Sequence, residues 1–133
     1  MSNLSLKVLL IEDNPINLEL ATDLLEGSGF EVITAQDAEV GVNLARETQP
    51  SLILMDLSLP GMDGLEATRA LKADPQTAAI PVVAVTAHAM KGDEQKALDA
   101  GCEGYITKPI DTRMFPTLVM QFLERAVQRN KPQ

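Results

Sequence analysis

Cysteine and positive charge are scarce in this chain, and long apolar runs and glycine-rich phosphate loops are missing from it; each lack excludes a class of function. Cys102 is the only cysteine, so there is no internal disulfide and no cysteine-based metal site, as suits a reducing compartment. Eleven Lys and Arg stand against 19 Asp and Glu, a formal charge of −8 and a pI near 4.5. Nucleic acid and anionic membrane both demand a basic footprint, which such a chain lacks. Such a charge attracts a cation or a basic partner surface instead. No apolar run approaches the ~20 residues of a membrane helix, and no basic-then-apolar leader opens the chain, so a cytoplasmic protein is expected. Repeats and low-complexity stretches are absent.

What is present is a steady alternation. The 133 residues, 45% apolar and 23% charged, suit one compact domain with its core over about residues 5–127 and a polar tail at 129–133. Short apolar runs read as strands over 7–11, 31–34, 52–55, 82–85 and 104–106. Amphipathic segments between them read as helices over 15–26, 37–47, 65–73, 91–100 and 112–128, the last capped by Asp111. Five strands alternating with five helices predict an α/β fold, a parallel sheet with helices on both faces. Runs one, three and four are continuously apolar, as strands buried on both faces are; runs two and five are mixed, as edges are. The expected order is 2-1-3-4-5, with a topological switch point between strands one and three, where open α/β sheets bind ligands.

The residues at that edge carry the chemistry. Glu12 and Asp13 follow strand one, Asp56 ends strand three, Thr86 strand four, and Lys108 strand five. Each has an ordinary use on its own. Asp13-Asn14-Pro15 is a standard helix opening, Thr86 a β-branched strand residue, and Lys108 before Pro109 a solvated loop lysine. Together they suit phosphoryl chemistry. Carboxylates hold Mg²⁺ (or Mn²⁺), a lysine and a hydroxyl bind phosphate oxygens, and an aspartate can be the nucleophile of an aspartyl phosphate.

The stretches VLLIEDNPINLEL, LILMDLSLPGMDGLEA, PVVAVTAHA and GYITKPID, in this order, resemble the receiver domains of two-component response regulators over about residues 7–123. The 2-1-3-4-5 order agrees with that family. The resemblance implies that Asp56 accepts a phosphoryl group from a phosphohistidine on a sensor histidine kinase or histidine phosphotransfer protein. It implies metal binding by Asp13, by Glu12 through water, by Asp56 and by the backbone carbonyl of Ser58. Thr86 would bond the phosphoryl oxygen and Lys108 neutralise it, with a cis bond at Pro109. Tyr105 would be the aromatic switch for a surface of the fourth helix, fifth strand and fifth helix. Leu18, placed off a core stripe of Leu20, Ala21 and Leu24, would help dock the donor, and His88 holds a position that tunes phosphoryl lifetime.

Such a chain is a phosphoacceptor that assists its own phosphotransfer and dephosphorylation rather than an enzyme, expected as monomer or weak dimer. The rivals fit less well. An aspartyl phosphatase needs a second aspartate where Ser58 stands, and a flavodoxin-like binder needs a hydroxyl-rich loop where Glu12 and Asp13 would repel phosphate. A pseudo-receiver has no use for Asp56, Thr86 and Lys108 together. No effector domain is expected after Leu123, so the chain would act by protein contact with an unknown effector, as a phosphate shuttle, or as the receiver of a larger hybrid kinase, whose receivers Asn14-Pro15-Ile16-Asn17 and Lys108-Pro109-Ile110-Asp111 equally resemble.

Overall fold

The computed structural model describes residues 6–57, 64–86, 93–108 and 110–129. Its elements alternate throughout: β1 (Lys7–Ile11), α1 (Pro15–Gly27), β2 (Glu31–Ala35), α2 (Ala38–Thr48), β3 (Leu52–Asp56), α3 (Gly64–Ala73), β4 (Val82–Thr86), α4 (Asp93–Ala100), β5 (Gly104–Thr107) and α5 (Phe115–Arg129). The five strands form one parallel sheet in the order β2-β1-β3-β4-β5. Burial explains the order. Every residue of β3 and β4 is buried, and so is β1 after Lys7, whereas β2 and β5 carry half-buried or exposed positions at the edges.

Alternation along the strands sends side chains to two cores. Leu9, Ile11, Ile53, Met55, Val82 and Ala84 pack with α2, α3 and α4. Val8, Leu10, Leu52, Leu54, Val83 and Val85 pack with α1 and α5, around the fully buried Phe115. Among the described residues no helix is long and apolar enough to cross a membrane.

Several expectations need correction. Leu18 does not lie off the core stripe of α1: it is half-buried and packs with Ala21, Leu24 and Leu25, while Leu20 is exposed. The α5 helix begins at Phe115, not at residue 112. The Asp111 side chain accepts from the Arg113 N–H at 3.0 Å and its carbonyl from those of Met114 and Phe115, so 112–114 form a turn. Pro116 then falls in the first helical turn, where its missing N–H costs nothing. Cys102 is buried, at 5% exposure. Asn14 caps α1, its Oδ1 accepting from the N–H groups of Ile16 and Asn17 at 2.9 and 3.1 Å. Asp13 is thereby relieved of the capping role that was its ordinary reading.

One buried hydroxyl on α1 lacks a partner among the described residues, that of Thr22. A buried donor left unsatisfied costs on the order of 1 kcal/mol, so Thr22→Val is expected to raise stability by about that amount. Urea unfolding should show a higher midpoint at unchanged slope; a lower midpoint would mean the hydroxyl finds a partner.

Candidate functional site

Beyond the carboxyl ends of β1, β3, β4 and β5 the backbone ladder continues for one or two residues and delivers the functional side chains. The Glu12 N–H donates to the Ala35 carbonyl at 3.0 Å, Leu57 N–H to Val85 at 3.2 Å, and Lys108 N–H to Thr86 at 2.7 Å. These bonds hold Glu12, Asp56 and Lys108 at one edge of the sheet, at the switch point between β1 and β3. Glu12, Asp56 and Thr86 are all buried, at 5%, 3% and 3% exposure, although each closes or follows a strand at this edge.

Lys108 joins the two acids. Its Nζ lies 2.8 Å from Glu12 Oε1 and 3.3 Å from Asp56 Oδ2. Burial would draw its pKa down, but the Glu12 and Asp56 carboxylates outweigh that and hold the ammonium above the ordinary lysine value. The opposite balance holds for Glu12. Burial pushes its carboxyl up; Lys108 and the Asn14 N–H, donating to Oε2 at 3.1 Å, only partly oppose this, and neighbouring Asp56 adds to it. One cation shared by two buried acids explains both directions.

The donor set fits a hard cation. Carboxylate oxygens of Glu12, Asp13 and Asp56 lie within 4.8 Å of one another, with Asp13 exposed at the rim. Oxygen donors around an open side are what Mg²⁺ uses, since it keeps several waters or phosphate oxygens in its shell. Thus Glu12, Asp13, Asp56, Thr86 and Lys108, expected together from the sequence, stand at one sheet edge. Ser58, Pro109 and His88 lie outside the described residues. Tyr105 is half-buried on β5, directly opposite Ala84 in register and on the α3–α4 side of the sheet. Leu18 sits on the other side, on α1.

Sequence reasoning missed the tightness behind Asp56. Gly64 is buried and lies against the Asp56 backbone. Sequence reasoning also passed over Thr68, fully buried on α3, whose hydroxyl donates to the Gly64 carbonyl at 2.8 Å. The one available signal was a threonine on the apolar face of an amphipathic helix, four residues after a glycine.

The same arrangement recurs in known proteins. Residues 8–119 match the response regulator receiver domain. The polar-differentiation response regulators DivK of Brucella anthropi and Brucella abortus are each 47% identical over 116 residues, spanning 87% of this chain and 94% of theirs. Among solved structures, the receiver domain of a sensor histidine kinase from Pseudomonas aeruginosa, with a magnesium ion coordinated in its active site cleft, is 32% identical with a TM-score of 0.83, over 90% of this chain and 98% of that one. A CheY-like receiver domain protein from Methanospirillum hungatei, 25% identical, has a TM-score of 0.86 over 95% and 99%. Nearly half-identical to DivK over most of both chains, and of the same fold as these receivers, the chain belongs to the response regulator receiver family of two-component signalling proteins.

Proposed function

We propose that Asp56 is the phosphoacceptor of this receiver, charged from a phosphohistidine on a histidine kinase or phosphotransfer protein, and that its occupancy is read by a partner protein. The single observation that carries this is the Lys108 ammonium, 3.3 Å from Asp56 Oδ2 and 2.8 Å from Glu12 Oε1, in a buried crevice.

The chain's own groups divide the work. An Asp56 oxygen attacks phosphorus, the phosphorus–nitrogen bond to the donor histidine breaks, and the imidazole leaves with the electron pair and takes up a proton. Charge builds on the equatorial oxygens, where fixed cations and donors matter most. Lys108 supplies one cation and the Thr86 hydroxyl one donor. Glu12, Asp13 and Asp56, with the carbonyl of Ser58, would hold Mg²⁺, which when bound neutralises both the acids and the incoming phosphoryl group.

Readout follows from added charge. A phosphoryl group brings about −1.5 to −2 charges and new acceptor oxygens. Thr86, drawn toward them, would make room for Tyr105, which alternation places on the same face of neighbouring strands. The face of α4, β5 and α5 would then change for an effector. For donor docking, Ile16, 77% exposed, and Leu20, 40% exposed, stand one turn apart on α1 and offer an apolar surface near the crevice, with half-buried Leu18 turned from them toward the core. We place the protein in the cytoplasm, where such donors act.

Incubation with acetyl phosphate and Mg²⁺, followed by intact mass, tests the reading. A gain of one phosphoryl group is expected, abolished by Asp56→Asn. No gain by the unaltered chain would instead favour a pseudo-receiver that only binds partners.

A further inference from the structure

Gly64 opens α3 directly behind the end of β3. A Cβ added there would stand 2.5 Å from the carbonyl oxygen of Asp56 and 2.8 Å from Leu57 Cα, closer than real Cβ atoms come. The glycine is not required for its own backbone conformation, because the positive-φ glycines among the described residues are Gly29 and Gly101. It is required by approach. The first turn of α3 lies against the Asp56 backbone, and only a residue without a side chain lets it.

The other side of Asp56 is equally confined. Asp56 pairs with Val85 in the β3–β4 register, and the next N–H, that of Leu57, donates to the Val85 carbonyl at 3.2 Å. The Asp56 backbone is thus held between a strand and a helix turn. That turn is itself braced, since the Thr68 hydroxyl, at zero exposure, donates to the Gly64 carbonyl at 2.8 Å. A threonine hydroxyl bonded back to the carbonyl four residues earlier often bends a helix, so its presence bears on the path of this first turn.

We infer that Gly64 and Thr68 are positioning residues for the phosphoacceptor: the braced first turn of α3 sets the backbone of Asp56, and through it the direction of the attacking carboxylate. This rests on reading Asp56 as the acceptor. In-line attack depends on placement, and a displacement of about 1 Å can cost about 100-fold in rate. The carboxylate has few ways to compensate, because it branches one carbon from that backbone and is already engaged by Lys108 at 3.3 Å.

The turn that follows α3 supplies a control. Thr77, just past α3, is 1% exposed, and its hydroxyl donates to the Leu71 carbonyl at 2.6 Å. Thr68→Val deletes the bond to the Gly64 carbonyl and a 3.9 Å contact with Cys102 Sγ, and Thr77→Val deletes the bond to the Leu71 carbonyl and a longer one to the Asp74 carbonyl at 3.5 Å, but only the first pair lies behind Asp56. The experiment measures phosphorylation by acetyl phosphate in saturating Mg²⁺, with thermal midpoints, for wild type, Thr68→Val, Thr68→Ser, Thr77→Val and Gly64→Ala. Thr68→Val is expected to slow the saturating rate by about tenfold, Thr68→Ser to restore it, and Thr77→Val to leave it unchanged despite a similar midpoint loss. Gly64→Ala should slow it at least as much. Equal rates for Thr68→Val and Thr77→Val would overturn the inference while leaving the acceptor reading intact. A wild-type chain that gains no phosphoryl group would overturn both.

Discussion

Replacing Lys108 with alanine is expected to slow phosphorylation of Asp56 by about 100-fold or more, the scale of losing one preorganised charge stabiliser at a water-poor site. The ammonium lies 2.8 Å from Glu12 Oε1 and 3.3 Å from Asp56 Oδ2, so no other position is implied for the work it does. The loss should appear at saturating acetyl phosphate, because the missing interaction grows as charge moves onto the phosphoryl oxygens. A variant impaired only in half-saturating concentration would place Lys108 in donor binding instead.

The same substitution should change how stability follows pH. The Glu12 carboxyl is already raised, first by burial, then by Asp56, with Lys108 in opposition. A carboxyl raised in the fold binds its proton more tightly there than in the unfolded chain. Its contribution is therefore fully present below the unfolded value and lost as pH rises through the folded one. Without Lys108, Glu12 and Asp56 face each other with less compensation, so the loss on going from pH 5 to 7.5 should steepen. Urea unfolding in a chelator checks it: the deficit of Lys108→Ala against wild type should grow with pH. A deficit that is constant across that range would mean Lys108 does not hold the two acids.

How much of this was legible in the sequence depended on whether a feature was local. The sheet order was, because Leu52 to Asp56 and Val82 to Thr86 are buried throughout while β2 is not, and hydropathy alone records that difference. The convergence of Glu12, Asp13, Asp56, Thr86 and Lys108 followed from the order, since each closes or follows a strand. The phase of α1 was not legible. Positions 16, 18, 20, 21, 24 and 25 are all apolar, and only the packing against β1 and α5 decides that Leu18 turns in and Leu20 out. Asp13 and Asn14 are both able caps, and the choice went to Asn14 through the path of the chain into α1. The closeness of Gly64 to the Asp56 carbonyl joins residues from different elements and leaves no periodic trace.

At the opposite end of the sheet, Lys72→Met is expected to lower stability by about 2 kcal/mol with phosphorylation unchanged. Lys72 Nζ donates to the carbonyls of Ala78 and Ile80 at 3.2 and 2.7 Å and to Glu103 Oε2 at 3.2 Å. Glu103 Oε2 in turn accepts from the Val82 N–H at 3.3 Å, so the pair ties α3 to the starts of β4 and β5. Both side chains are about four-fifths buried, at 21% and 20% exposure, and methionine keeps the stem that packs against Gly101 while deleting every donor. The loss is set below the full cost of breaking a buried pair because water still reaches the edge of this one. The contrast is Arg46 with Asp74, shorter at 2.6 Å yet with the Arg46 side chain 42% exposed. Bonding to Arg46 holds the Asp74 carboxyl below its ordinary value, but solvent screens that pair, and Arg46→Gln should leave unfolding unchanged within error. Urea curves for the two variants decide between distance and burial as the source of stability: equal effects would sink the argument. A slowed phosphorylation in Lys72→Met would show that the two ends of the sheet are coupled, whereas every partner of Lys72 precedes β4 or β5 and every group of the acidic crevice closes or follows a strand.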